Sequence, residues 1–212
     1  MSTAIHSTGP GENAPCAPAL RLRLPQTKPS LTVETVPELI LPTTRLAASF
    51  AEAVREFIAE GRGGPDDHTL LGSLIAELGP PDEPQPWVAR VVAHERKLTT
   101  DPPADFVPCT TYWWTDGDTY LGRINLRHRL NERLRDIGGH IGYDIRPSAR
   151  RRGHATAMLA AALPHAAALG IDKALVTCDA DNIASRKVIE ANGGAFEDQR
   201  GTKLRFWVPT AP

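Results

Sequence analysis

Residues 140–160, HIGYDIRPSARRRGHATAMLA, change from strand periodicity to helix composition across one short basic turn, and this switch constrains the segments on either side of it. Ile141, Tyr143 and Ile145 alternate with His140, Gly142 and Asp144, the period-2 pattern of a strand with two unlike faces. Pro147 has no N–H to give a ladder and ends the strand. Ala157, Met158, Leu159, Ala160, Ala161 and Leu163 are strong helix formers, so a helix is expected to start near Gly153. Free N–H groups and the positive dipole end at a helix start attract anions, and Gly153 and Ala155 carry little bulk to keep a phosphate away. Arg150, Arg151 and Arg152 add full charge and forked donors in front of that site. A solvated basic turn would have the same composition. Its position after a strand separates the two readings.

The spacing Arg150-x-x-Gly153-x-Ala155 resembles the pyrophosphate motif (Q/R-x-x-G-x-G/A) of the GNAT superfamily of acyl-CoA-dependent N-acyltransferases. Downstream, Lys173 to Cys178 reads as a buried strand, and Asn182 to Gly194 is similar to the family's second motif, N-x-x-S-x-x-x-Y-E-x-x-G-F. Both motifs stand in the family's order with a helix and a strand between them. The resemblance covers roughly Glu38 to Val208 and is strongest from Tyr112 to Gly194.

It implies an α/β (α+β) fold: one GNAT-like domain with a mixed, mostly antiparallel central sheet flanked by helices, and a splayed parallel strand pair that binds acyl-CoA. It also implies that the backbone of Tyr143 and Ile145 receives the pantetheine arm, while Arg150, Arg151, Arg152, Gly153, His154, Ala155 and Thr156 surround the phosphates. Asn182 and Ser185 would face the pantetheine, with Lys187 near a CoA phosphate. The Tyr143 N–H becomes the candidate oxyanion donor. His140 is the first candidate for the base that takes a proton from the acceptor amine, against a purely structural histidine; Asp144, on the same strand face, is a candidate partner for the acceptor's ammonium.

Two positions depart from the family pattern: Ile189 stands where many members have the tyrosine that protonates the departing thiolate, and Gly194 replaces the expected phenylalanine. Tyr143, Tyr112, Cys178 or water are alternative proton sources, or the thiolate leaves unaided. The expected function is an N-acetyltransferase using acetyl-CoA as donor, without metal. Its acceptor would be a primary amine of a small molecule, amino-acid derivative or peptide, attacked directly in a ternary complex. The alternative is a catalytically quiet acyl-CoA sensor or assembly module, which Ile189 favours slightly, while the intact cofactor motifs and His140 favour the enzyme.

The rest of the chain fits around this unit. Five prolines among the first 30 residues suit a mobile leader, leaving 31–212 for the domain. A first strand is expected around Glu38 to Leu41, then a helix capped by Thr43 or Thr44 with Leu46, Phe50, Ala53, Val54, Phe57 and Ile58 on one face. Leu70 to Leu78 and about Gln85 to Leu98 read as further helices, with acceptor selection placed between Gly61 and Pro86 by the resemblance. Asp116-Gly117-Asp118 turns a hairpin between Cys109–Thr115 and Thr119–Leu126, whose aromatics Tyr112, Trp113 and Trp114 suit packing. Arg127 to Asp136 is a charged loop that brings Asn131 and Glu132 within reach of a substrate. A helix from Asn182 to Asn192 and a last hairpin around Arg200-Gly201-Thr202 complete the domain.

The 24 Lys and Arg against 25 Asp and Glu give a net charge of -1, which calls for neither nucleic acid nor an anionic membrane. Cys16, Cys109 and Cys178 have no metal-like or paired spacing, and no apolar run is long enough to span a bilayer. A cytoplasmic setting is expected. Exposed strand edges and the last hairpin offer surfaces for a homodimer.

Overall fold

The computed structural model describes residues 36–67 and 69–211. The expected leader and Cys16 lie outside them.

Among the described residues seven strands form one sheet: β1 (Glu38–Ile40), β2 (Cys109–Asp116), β3 (Thr119–Arg127), β4 (Ile141–Ile145), β5 (Lys173–Asp179), β6 (Ala195–Arg200) and β7 (Lys203–Pro209), in the order β1-β2-β3-β4-β5-β7-β6. Every neighbouring pair is antiparallel except β4 and β5. This is the mixed sheet with one parallel pair that the motifs imply. The β2–β3 hairpin turns at Gly117, whose φ of 55° is the left-handed conformation that a two-residue connection requires.

Helices α1 (Ala47–Ala59), α2 (Leu70–Leu78) and α3 (Pro84–Thr100) precede the hairpin; α4 (His154–Ala168) and α5 (Ile183–Ala191) follow β4 and β5. Their apolar faces make two cores. Phe50, Val54 and Phe57 of α1, Leu71 and Leu74 of α2, and Trp87 and Val91 of α3 pack with Trp113 and Tyr120 on one face of the sheet. Ile124, Ile141, Ile145, Met158, Leu159, Val176, Ile189 and Phe206 form the other, under α4 and α5. A register shift between Trp114 and Thr115 falls within β2, where Trp113 and Trp114 serve opposite cores. The aromatic group is therefore packing, and Cys109 and Cys178 are buried thiols.

The segment read as a charged loop contains a turn of π-helix, Leu134–Gly138, started by Asn131 Oδ1 accepting the Leu134 N–H at 2.9 Å. Asn131 therefore holds the turn, and Glu132 is exposed. No helix among the described residues is long and apolar enough to cross a membrane.

Candidate active site

Strand β4 pairs with β3 along its whole length but with β5 only at Ile141 opposite Val176. Arg127 N–H donates to His140 O and Arg146 N–H donates to Leu121 O, both at 2.8 Å, which sets the phase of the ladder. Gly142 and Asp144 therefore bond toward β3, while Ile141, Tyr143 and Ile145 turn their backbone groups toward β5. Beyond Ile141 the strands part, so the Tyr143 N–H and C=O face a gap; Ile145 O accepts from Arg150 Nε at 3.2 Å.

The vertex of this gap is built from Gly139 and His140. Gly139 has φ 63°, and a Cβ there would lie 2.5 Å from Leu175 O, so only glycine fits. His140 N–H donates to Leu175 O at 2.6 Å, and Leu175 N–H donates to His140 Nδ1 at 2.9 Å. The ring nitrogen takes the place of a strand carbonyl. Burial, then the nearby Arg127 and Arg135, lower the His140 pKa to about 4. The ring is thus neutral near pH 7, with its proton on Nε2. The lone pair a base would use is the one the Leu175 amide occupies.

At the other end of β4 the chain makes a 3-10 turn over Pro147–Ala149, then places Arg151 (φ 63°) and Gly153 (φ 82°) in the left-handed region before α4 begins. The N–H groups of His154, Ala155 and Thr156 open that helix and have no carbonyl one turn behind them. A Cβ on Gly153 would meet nothing within 4 Å, so its requirement is conformational and the space above it is open. Four arginines play different parts here. Arg150 is paired with both Glu60 oxygens, at 2.8 and 2.7 Å, and Arg146 with Glu56 at 2.7 Å. Glu56 also receives the Ser148 N–H and hydroxyl at 2.9 and 3.0 Å. These bonds fasten the turn to α1, leaving the exposed Arg151 and Arg152 as its cations without a partner among the described residues. His154 Nδ1 accepts from Trp114 Nε1 at 3.3 Å.

Across the gap, Asn182 Oδ1 accepts the Ser185 N–H at 3.0 Å and caps α5. The cap orients Ser185, whose Oγ lies 2.8 Å from the Tyr143 hydroxyl. Burial, opposed by the Ser185 bond, pushes the Tyr143 pKa up to about 12, so the phenol stays protonated. Lys187 is exposed on α5. Ile189 points into the core at 0 % exposure, and a Cβ on Gly194 would sit 2.5 Å from Ile189 Cγ2. The two departures from the family pattern fit each other: an apolar side chain fills the core and a glycine gives it room.

On the sheet face toward α1, Asp144 is bonded to Arg62 at 2.9 Å, and Arg62 also reaches Asp67 and Thr69, each at 2.6 Å. The Asp144 carboxylate is thus already engaged by a guanidinium. Burial raises the Asp67 pKa, but bonds from Thr69 and Arg62 outweigh it and bring it to about 2. Beside this network Arg123 and Glu95 form a buried ion pair at 3.0 Å, and Asn125 Nδ2 donates to Thr111 Oγ1 at 2.7 Å. Sequence reasoning passed over Arg62, Glu56, Glu60, Asn125 and Arg127. A signal was present in β3, where Arg123, Asn125 and Arg127 alternate with Ile124 and Leu126 in a strand central to the sheet.

Among family models, the acetyltransferase (GNAT) domain matches residues 75–195, more than half of the chain. The chain belongs to the GNAT acetyltransferase family. Similar solved structures share its fold. RimL, a ribosomal-protein alpha-N-acetyltransferase in complex with coenzyme A, has a TM-score of 0.57 and 17 % identity over 85 % of this chain and 98 % of its own. RimJ of Mycobacterium smegmatis, in complex with CoA-disulfide, has a TM-score of 0.57 and 17 % identity over 82 % of this chain and 81 % of its own. The acetyltransferase yncA of Salmonella typhimurium, with its cofactor acetyl-CoA, has a TM-score of 0.51 and 11 % identity over 82 % of this chain and 94 % of its own. No curated protein matches the sequence. As a GNAT acetyltransferase, the chain has no group of three or more His, Cys, Asp or Glu placed to hold a metal among its described residues.

Proposed function

We propose that the protein transfers the acetyl group of acetyl-CoA to a primary amine of a small molecule, amino-acid derivative or peptide by direct attack within a ternary complex. The observation that carries this reading is the unpaired Tyr143 backbone in the β4–β5 gap, aligned with a helix N-terminus beyond the same strand. An extended pantetheine arm suits that edge as an added strand would. The N–H groups of His154, Ala155 and Thr156, with Arg151 and Arg152 in front, suit the diphosphate at its far end.

In this reading the Tyr143 N–H donates to the thioester carbonyl and stabilises the oxyanion formed when the amine attacks. Collapse breaks the carbon–sulfur bond, giving the acetamide and the CoA thiolate. The amine proton passes to water and CoA leaves as the thiolate, which takes a hydrogen bond from the Tyr143 phenol, kept protonated by its raised pKa, where a tyrosine at 189 would give a proton. His140 holds the vertex that directs the Tyr143 N–H, and Asp144 with Arg62 walls the acceptor side.

Calorimetric titration with acetyl-CoA, beside Gly153→Trp, tests the donor site; thiol release with an amine panel tests the transfer. Micromolar binding lost in the variant is expected. Absence of binding by the wild type would overturn the assignment.

A further inference from the structure

Five arginines among the described residues are buried or half-buried: Arg62, Arg123, Arg127, Arg146 and Arg205. Four of them have carboxylate partners. Arg62 pairs with Asp67 and Asp144, Arg123 with Glu95, Arg146 with Glu52 and Glu56, and Arg205 with Glu197 and Asp198. Arg127 forms no ion pair among the described residues. A partly buried cation left without a counter-charge is unfavourable, and the fold supplies one everywhere else.

Its guanidinium also has an open edge. Nη1 donates to Gly138 O and Gly139 O at 3.0 and 3.2 Å, which fixes the group in place and leaves the Nε–Nη2 edge without an acceptor among the described residues. That edge is the forked pair of donors that matches a carboxylate. The guanidinium lies over Gly142: a Cβ there would stand 3.8 Å from Nη1 and 3.9 Å from Nη2. Gly142 is one residue before the Tyr143 N–H, and consecutive α-carbons are ~3.8 Å apart. The charge therefore lies over the residue that precedes the proposed oxyanion donor, on the acceptor side of the strand. The phosphate turn lies past the opposite end of β4, so the phosphates of CoA are not its counter-ions. Of the two groups that act on Arg127 electrostatically, Cys109 is a buried thiol whose pKa burial pushes up to about 11, so it is neutral near pH 7, and Arg133 is a cation; Arg127 and Arg135 both act on His140.

We infer that Arg127 is a carboxylate subsite for the acceptor, so that the amine acetylated by this protein carries a carboxylate a few bonds from its nitrogen. This rests on the acetyl-transfer reading of the β4–β5 gap. An amino acid with an acidic side chain, or a peptide that begins with one, meets the requirement: its amine reaches the thioester while its carboxylate bridges Nε and Nη2. A cationic subsite also disfavours acceptors that bring a second positive charge.

Two pairs of compounds that differ only by carboxylate against carboxamide test the subsite. With saturating acetyl-CoA, aspartic acid α-amide is expected to exceed asparagine amide at least tenfold in kcat/KM, measured by thiol release at low ionic strength. By calorimetry on CoA-loaded protein, N-acetyl-aspartic acid α-amide is expected to bind at least tenfold more tightly than N-acetyl-asparagine amide. Arg127→Gln should erase both differences, Arg127→Lys should retain part of them, and neither should change the affinity for acetyl-CoA. Equal treatment of both pairs by the wild type, or a preference that survives Arg127→Gln, overturns the inference. Failure of the wild type to bind acetyl-CoA would instead overturn the acetyl-transfer reading. The binding comparison, repeated without CoA, still decides the subsite in that case.

Discussion

His140 and Leu175 are joined by two hydrogen bonds, one from the His140 N–H to the Leu175 carbonyl and one from the Leu175 N–H to His140 Nδ1. A side chain thus replaces a backbone acceptor at the point where the only parallel strand pair of the sheet begins to part. The histidine belongs to the architecture of the gap.

His140→Ala leaves the buried Leu175 N–H without its acceptor and should destabilise the protein by about 1–3 kcal/mol. His140→Asn can present Oδ1 where Nδ1 was and should recover much of that loss in denaturant unfolding. If His140 positions the gap, the asparagine variant also recovers kcat, with a pH–rate profile like that of the wild type. A kcat lost in both variants, with acetyl-CoA binding intact, would assign the histidine to proton transfer.

Stability should fall as the pH drops from about 6.5 to about 4. The His140 pKa is lowered from 6.5 to about 4 by burial and by Arg127 and Arg135, so in that window the unfolded chain takes up a proton that the folded protein refuses. Below both values the loss is complete, and above 6.5 the residue has no influence. Thermal melts across this range should show a shallower decline for His140→Asn than for the wild type.

Glu56→Ala removes the nearer carboxylate partner of Arg146 and the acceptor of both Ser148 donors, and loosens the turn before α4 from α1. A cost of about 1–2 kcal/mol is expected for a charge-assisted set at this half-buried position. Acetyl-CoA affinity should fall severalfold by calorimetry. Glu60→Ala, which breaks an exposed pair with Arg150, should cost under ~1 kcal/mol.

Gly153→Ala meets no clash but forces an L side chain to φ 82°. A stability loss of about 1–2 kcal/mol is expected in urea unfolding, from backbone strain alone. Weakened acetyl-CoA binding that exceeds this loss would show that the turn conformation itself serves the ligand.

Ile189→Tyr should not restore a family-like proton donor. The side chain it replaces is fully buried, against a glycine that would collide with it if it bore a Cβ, so overpacking of about 1–3 kcal/mol is the expected result in a melting experiment. Tyr143→Phe, which retains the backbone N–H, should lower kcat while leaving acetyl-CoA affinity nearly unchanged.

The local pattern of the chain was enough to place β4, the basic turn, α4, β5 and α5 in order. Strand alternation, a helix-starting glycine and an asparagine cap are short-range effects written in neighbouring residues. For the same reason the cap at Asn182, the β2–β3 turn and the buried aromatics of β2 were legible from composition and spacing. The partners of those residues were not. Arg150 meets Glu60, Arg146 meets Glu56 and Asp144 meets Arg62 across 82 to 90 positions of sequence. Which of several like residues finds a counter-ion depends on how α1 lies against the end of β4. The sequence alone determined the order of elements and the start of α4 near Gly153. Tertiary packing decided which charges are spent on holding the fold and that Arg127 keeps its own, because ion pairing acts through space while capping and periodicity act along the chain.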